Sequence, residues 1–107
     1  MLTINRQIQP ILSQVKAGIV EIYGEKLDRI VLYGSQARGD ALPDSDIDIL
    51  IVLKESFKLF QENDRIGGFI ADLCLEHGVL ISCVLATQEN YQYYDNAFFR
   101  FFLLFKF

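Results

Sequence analysis

Between Ile30 and Leu53 the chain reads IVLYGSQARGDALPDSDIDILIVL, two apolar runs joined by a polar segment that opens on Gly34-Ser35 and closes on Asp46-Ile47-Asp48. The first run, Ile30 to Tyr33, is β-branched and aromatic and ends on a glycine. It reads as a buried strand stopped by a residue free to take a positive φ. The second, Ile47 to Leu53, is apolar everywhere except at Asp48, which suits a strand buried on both faces. Any fold for this chain must position that polar segment between the two strands. A Gly-Ser turn leaves backbone N–H groups and a hydroxyl without ladder partners, donors that suit phosphate oxygens. Asp46 and Asp48 stand two apart, so strand alternation points both carboxylates the same way, with Cα atoms roughly 6 to 7 Å apart. Two converging carboxylates repel unless a cation lies between them, and hard oxygen ligands beside a phosphate favour Mg²⁺.

The rest of the chain reads as support for that segment. With 107 residues, half of them hydrophobic, it is expected to be a single folded domain spanning 1–107. A net charge of −4, with ten scattered Lys and Arg, argues against a nucleic-acid-binding surface. Ile8, Ile11, Leu12, Val15, Ile19 and Ile22 recur at helical spacing, so Asn5 to Tyr23 reads as an amphipathic helix, with Pro10 tolerated near its first turn and Gly24 as its stop. Phe57 to Cys74 repeats at three and four, a second helix ending at His77-Gly78; Gly67-Gly68 within it either permits close packing on the sheet or marks a break. His77 stands where a helix end favours a cation. Val79 to Ala86 reads as a third strand, apolar apart from Ser82 and therefore central or covered. Cys74 and Cys83 show no metal-ligand spacing and read as two buried, reduced thiols. With no signal peptide and no apolar run of spanning length, the protein is expected in the cytoplasm and off the membrane.

Gly34-Ser35, ten intervening residues and Asp46-Ile47-Asp48 resemble the signature of the polymerase β-like nucleotidyltransferase superfamily. Ala37-Arg38-Gly39 and Ser45-Asp46 narrow the resemblance to the minimal nucleotidyltransferases, which commonly serve as the antitoxin halves of toxin–antitoxin pairs with HEPN toxins. The resemblance implies an α/β (α+β) nucleotidyltransferase fold, a small mixed sheet with helices packed on one face. It implies ATP as substrate, Mg²⁺ held by the catalytic pair Asp46 and Asp48, and phosphates held by Gly34 and Ser35. Arg38 either reaches the triphosphate or pairs with Asp40 or Asp44 and only holds the loop. The implied reaction is transfer of AMP to a tyrosine of a cognate HEPN ribonuclease toxin.

The sequence departs from the superfamily on the third strand, where many members carry a third carboxylate. Here the strand reads VLISCVLA, and Ser82 lies near the position where that carboxylate is expected. A serine is a poor base and a weak Mg²⁺ ligand. This leaves open a catalytically degenerate antitoxin that neutralises its toxin by binding alone. Transfer to a small molecule is a weaker alternative, because no second domain is present to form a pocket for that acceptor. The C-terminus adds a second clue: six of the nine Phe lie in the last ten residues, and the tail from about residue 97 to 107 reads either as core or as an interface.

Overall fold

The computed structural model describes residues 7–34, 46–91 and 105–106. Helix α1 spans Gln9–Tyr23 and is followed by one 3-10 turn, Gly24–Lys26. Pro10 sits in the first turn, where its missing N–H would have had no helical partner. Strand β1 is Leu27–Tyr33, longer than the apolar run alone indicated, and β2 is Ile47–Leu53, as its hydrophobicity dictated. Helix α2 spans Leu59–His77, β3 is Ile81–Thr87, and a two-residue strand, β4, is Phe105–Lys106.

The four strands form one mixed sheet in the order β3-β2-β1-β4. β1 runs antiparallel to β2 and to β4, whereas β2 and β3 are parallel. Parallel neighbours need a crossover, and α2 supplies it. Ile47, Ile49 and Ile51 of β2 join Ile30, Leu32, Val15, Ile19, Ile66 and Ile70 in the main core, so both helices cover one face of the sheet. Leu50 and Val52 point the other way, into a smaller cluster with Val31, Ala86 and Tyr91. Burying one such branched side chain contributes roughly 1.5–3 kcal/mol, which makes β2 the strand on which most of the apolar burial converges. Tyr91, in the helical residues 88–91 that follow β3, holds that second cluster with the Arg29 guanidinium 4.8 Å from its ring centroid.

The helices meet where Gly18 faces the Phe69 ring, and there is no room for a Cβ. Near the end of α2, the His77 Nε2–H donates to Gln14 Oε1 of α1, so the lone histidine joins the two helices from its helix-end position. Gly78 then takes a left-handed conformation, φ 63°, and its N–H caps the carbonyl of Cys74. Gly67 and Gly68 do neither of the things their sequence suggested. The helix runs through both without a break, and a Cβ on either would meet only open space. Gly67→Ala and Gly68→Ala should therefore each stabilise the protein by about 0.5–1 kcal/mol, read as an increase in thermal midpoint.

β3 corrects the sequence expectation of a covered strand. It is the outermost strand of the described sheet, and Ser82 and Val84 are exposed; only Ile81, Leu85 and Ala86 are buried. Its apolar composition misled because Val84 faces solvent. Both cysteines are free, as expected, but half-buried rather than buried. Cys74 Sγ accepts a hydrogen bond from the Ile81 N–H at 3.3 Å, while burial pushes the Cys83 thiol up to about 12. Cys83 should then resist alkylation at pH 8 in the folded protein and react once it is denatured, a difference that peptide mass spectrometry would read. The described part of the aromatic tail is β4, paired with Val31 and Leu32 of β1; the rest of 97–107 and residues 1–6 lie outside the described residues. No helix among the described residues is long and apolar enough to cross a membrane.

Candidate active site

The antiparallel register of β1 and β2 sets Tyr33 opposite Asp48, and the parallel register of β2 and β3 sets Asp48 beside Ser82. Partners in register share a face, so Tyr33, Asp48 and Ser82 form one row across the sheet, on the side away from the two helices. Asp46 lies one residue before β2 and, by the same alternation, on that side too.

Gly34 joins the two ends of this row. It has φ 75°, the left-handed region that the sequence reading required, and its backbone lies so close to the carboxylate that a Cβ would stand 2.6 Å from Asp48 Oδ2. The glycine thus does two things at once. It turns the chain out of β1, and it leaves space for the carboxylate of the next strand.

Asp48 is half-buried and Asp46 exposed. Burial raises the pKa of Asp48 above the ordinary carboxylate value, and the charge of Asp46 raises it further. Tyr33 is raised as well, by burial first and then by the Asp48 charge. Two carboxylates on one face, with a tyrosine in register beside Asp48, form a site that a divalent cation would relax. Among the described residues no three His, Cys, Asp or Glu stand close enough to hold a metal. A pair of carboxylates still fits Mg²⁺, which keeps several waters and takes further oxygens from substrate phosphates.

Of the residues singled out from sequence, Gly34, Asp46 and Asp48 come together at the shared end of β1 and β2. Ser35 and Arg38 lie outside the described residues. Sequence reasoning missed Tyr33, which looked like the last residue of a strand; only the pairing register could have put it in the carboxylate row. Ser82, by contrast, falls beside Asp48, as its position in the third apolar run suggested.

At the opposite end of β2 an open cleft of about 330 Å³ lies among Tyr23, Lys26, Leu53, Lys58, Glu62 and Arg65. Glu62 is buried, with Arg65 Nε 3.4 Å away, and its carboxylate together with burial raises the pKa of the Tyr23 hydroxyl. This cleft lies at the far end of β2 from Asp46 and Asp48.

Known proteins bear on what this arrangement does. The sequence model of a family described as "Nucleotidyltransferase domain" matches residues 12–100. The chain is 38% identical over 79 residues to "Putative protein adenylyltransferase MJ0141" of Methanocaldococcus jannaschii, covering 74% of this chain and 79% of that protein. It is 37% identical over 71 residues to "Putative protein adenylyltransferase MJ0604" of the same organism, covering 63% of this chain and 61% of that one. Among solved structures, one described as a putative nucleotidyltransferase from Sulfolobus solfataricus superposes with a TM-score of 0.60 at 26% identity, over 81% of this chain and 75% of that chain.

Proposed function

The chain belongs to the nucleotidyltransferase domain family, and on that premise we propose that it transfers AMP from Mg–ATP to a tyrosine hydroxyl of a protein, a cognate HEPN ribonuclease toxin that is thereby neutralised. The names of the relatives support a protein as acceptor. The resemblance to minimal nucleotidyltransferases supports the toxin as partner and the antitoxin role. Free thiols at Cys74 and Cys83 and the use of ATP fit a cytoplasmic enzyme acting as one domain over 1–107.

The observation that carries this reading is the close approach of the Gly34 backbone to the Asp48 carboxylate. It sets the turn that follows β1 against one carboxylate of the pair proposed to hold the metal. In the proposed site Asp46 and Asp48 hold Mg²⁺, and Gly34, Ser35 and Arg38 hold the phosphates. The metal ion, when bound, neutralises charge on the reacting phosphate and the departing pyrophosphate. The tyrosine oxygen attacks the α-phosphorus in line, the bond from that phosphorus to the bridging oxygen breaks, and pyrophosphate leaves. The phenolic proton passes to water. A phenol with a pKa of about 10 gives it up more readily than an aliphatic alcohol, which suits a site whose described residues supply no third carboxylate.

Intact mass spectrometry of the toxin co-expressed with this protein tests the proposal. A gain of whole AMP units is expected, and it should vanish when Asp46→Asn and Asp48→Asn are combined. A toxin that gains no mass beside the wild-type protein sinks the reading. Ser82 in the row with Asp48 favours a second one, an antitoxin that acts by binding alone. In that case the double variant would still neutralise the toxin.

A further inference from the structure

The outer row of β3 runs alongside the carboxylates. Ser82 is in register with Asp48, Val84 with Leu50, and the Leu80 carbonyl accepts the Ile47 N–H, which sets Leu80 next to Asp46. Residues 80, 82 and 84 share a face by strand alternation. That face is open: Leu80 is 60% and Val84 45% exposed, and Ser82 is exposed between them. One strand further in, Leu50 and Val52 on the same face are almost completely covered. Burial therefore stops at β3, and two apolar side chains flank a hydroxyl beside the reacting centre. Single exposed apolar residues are ordinary, but these two stand either side of the residue aligned with Asp48.

We propose that Leu80, Ser82 and Val84 form the surface on which the acceptor protein docks, and that the strip fits an extended segment with apolar residues two positions before and after the acceptor tyrosine. An extended segment repeats every second residue, as the strip does, so two apolar contacts bracket the tyrosine and deliver its oxygen next to Asp48. Ser82 is the position that makes room, since a longer side chain there would occupy the space through which the hydroxyl enters. With Asp46 and Asp48 alongside and a net charge of −4 on the chain, the segment is neutral or basic. This surface rests on the reading of a protein acceptor and adds where that acceptor binds and which residues around its tyrosine are selected.

The test uses two capped peptides, Lys-Leu-Ser-Tyr-Ser-Val-Lys and Lys-Ser-Ser-Tyr-Ser-Ser-Lys, with the full-length protein and Mg–ATP. The apolar-flanked peptide should have a KM about tenfold lower, and the Leu80→Ser, Val84→Ser double variant should remove that preference. The double variant should leave the affinity for Mg–ATP unchanged, because neither residue is among those proposed to hold the metal or the phosphates. Fluorescence anisotropy of the labelled peptides gives the same comparison without turnover, so a site that binds but does not transfer still reports on docking. Equal KM values, equal affinities, or a preference that survives in the double variant would overturn the proposed surface. A preference in binding combined with no AMP transfer to the toxin would instead retain the surface and remove the enzymatic reading.

Discussion

Asp48→Asn should lower AMP transfer by about 10²–10³-fold, with far less effect on the melting temperature. Asn keeps the shape of the side chain, so its packing beneath Gly34 survives, but it removes the charge that would bind Mg²⁺. The measurement is the rate of pyrophosphate release with Mg–ATP and the acceptor protein. A variant that keeps a tenth or more of the wild-type rate would take Asp48 out of the catalytic pair. The metal-free protein provides an independent check. Asp48 is a carboxyl whose pKa is raised on folding, so between its ordinary value and the raised one the folded state binds more protons than the unfolded state. Stability contributed there is present at lower pH and lost as pH rises through that window. Asp48→Asn should flatten this part of the stability profile, and saturating Mg²⁺ should flatten it in the wild type. A profile that keeps its slope in the variant would assign the proton uptake to another group.

Gly34→Ala should be more damaging than its size suggests. A non-glycine residue in the left-handed region costs about 1–2 kcal/mol, and at Gly34 the added carbon would also stand 2.6 Å from Asp48 Oδ2. Since the backbone is fixed by β1, the carboxylate must move away, and a displacement of about 1 Å at a reacting centre costs around 10²-fold in rate. The expected result is a loss of roughly 1–2 kcal/mol in denaturant unfolding together with a drop of about two orders of magnitude in transfer. Gly24→Ala is the control: its φ is also positive, at 54°, but nothing lies within 4 Å of the new carbon. It should share the loss of stability and keep the activity. If both variants kept full activity, the contact between turn and carboxylate would have no bearing on catalysis.

The parts of the fold legible in the sequence were those that a single segment determines. Ile47 to Leu53 could be assigned as a doubly covered strand because almost every side chain is branched and apolar, and Gly34 because the run before it needed a turn. α1 and α2 followed from the spacing of their core residues, within a few residues at their starts. What depended on a neighbour was not legible. Val84 has the same chemistry whether buried or not, and its exposure follows from β3 lying at the outside of the sheet. Tyr33 looked like packing until its pairing with Asp48 was known. The two glycines in α2 had two plausible roles; the unbroken helix ruled out one and the empty space around them the other. Of the candidate site, Asp46, Asp48 and Gly34 were singled out by their spacing, whereas the placing of Tyr33 and Ser82 beside Asp48 depends on register between strands.

The sheet order also fixes when the site becomes complete as the chain folds. Gly34 and Asp48 belong to antiparallel neighbours that follow one another in sequence, and closing a short loop costs little entropy. Ser82 reaches the same row only after α2 has crossed the sheet and β3 has aligned in parallel, a pairing of much higher contact order. The Gly34–Asp48 part of the row is therefore assembled by early, local contacts, and the part at Ser82 by late, long-range ones.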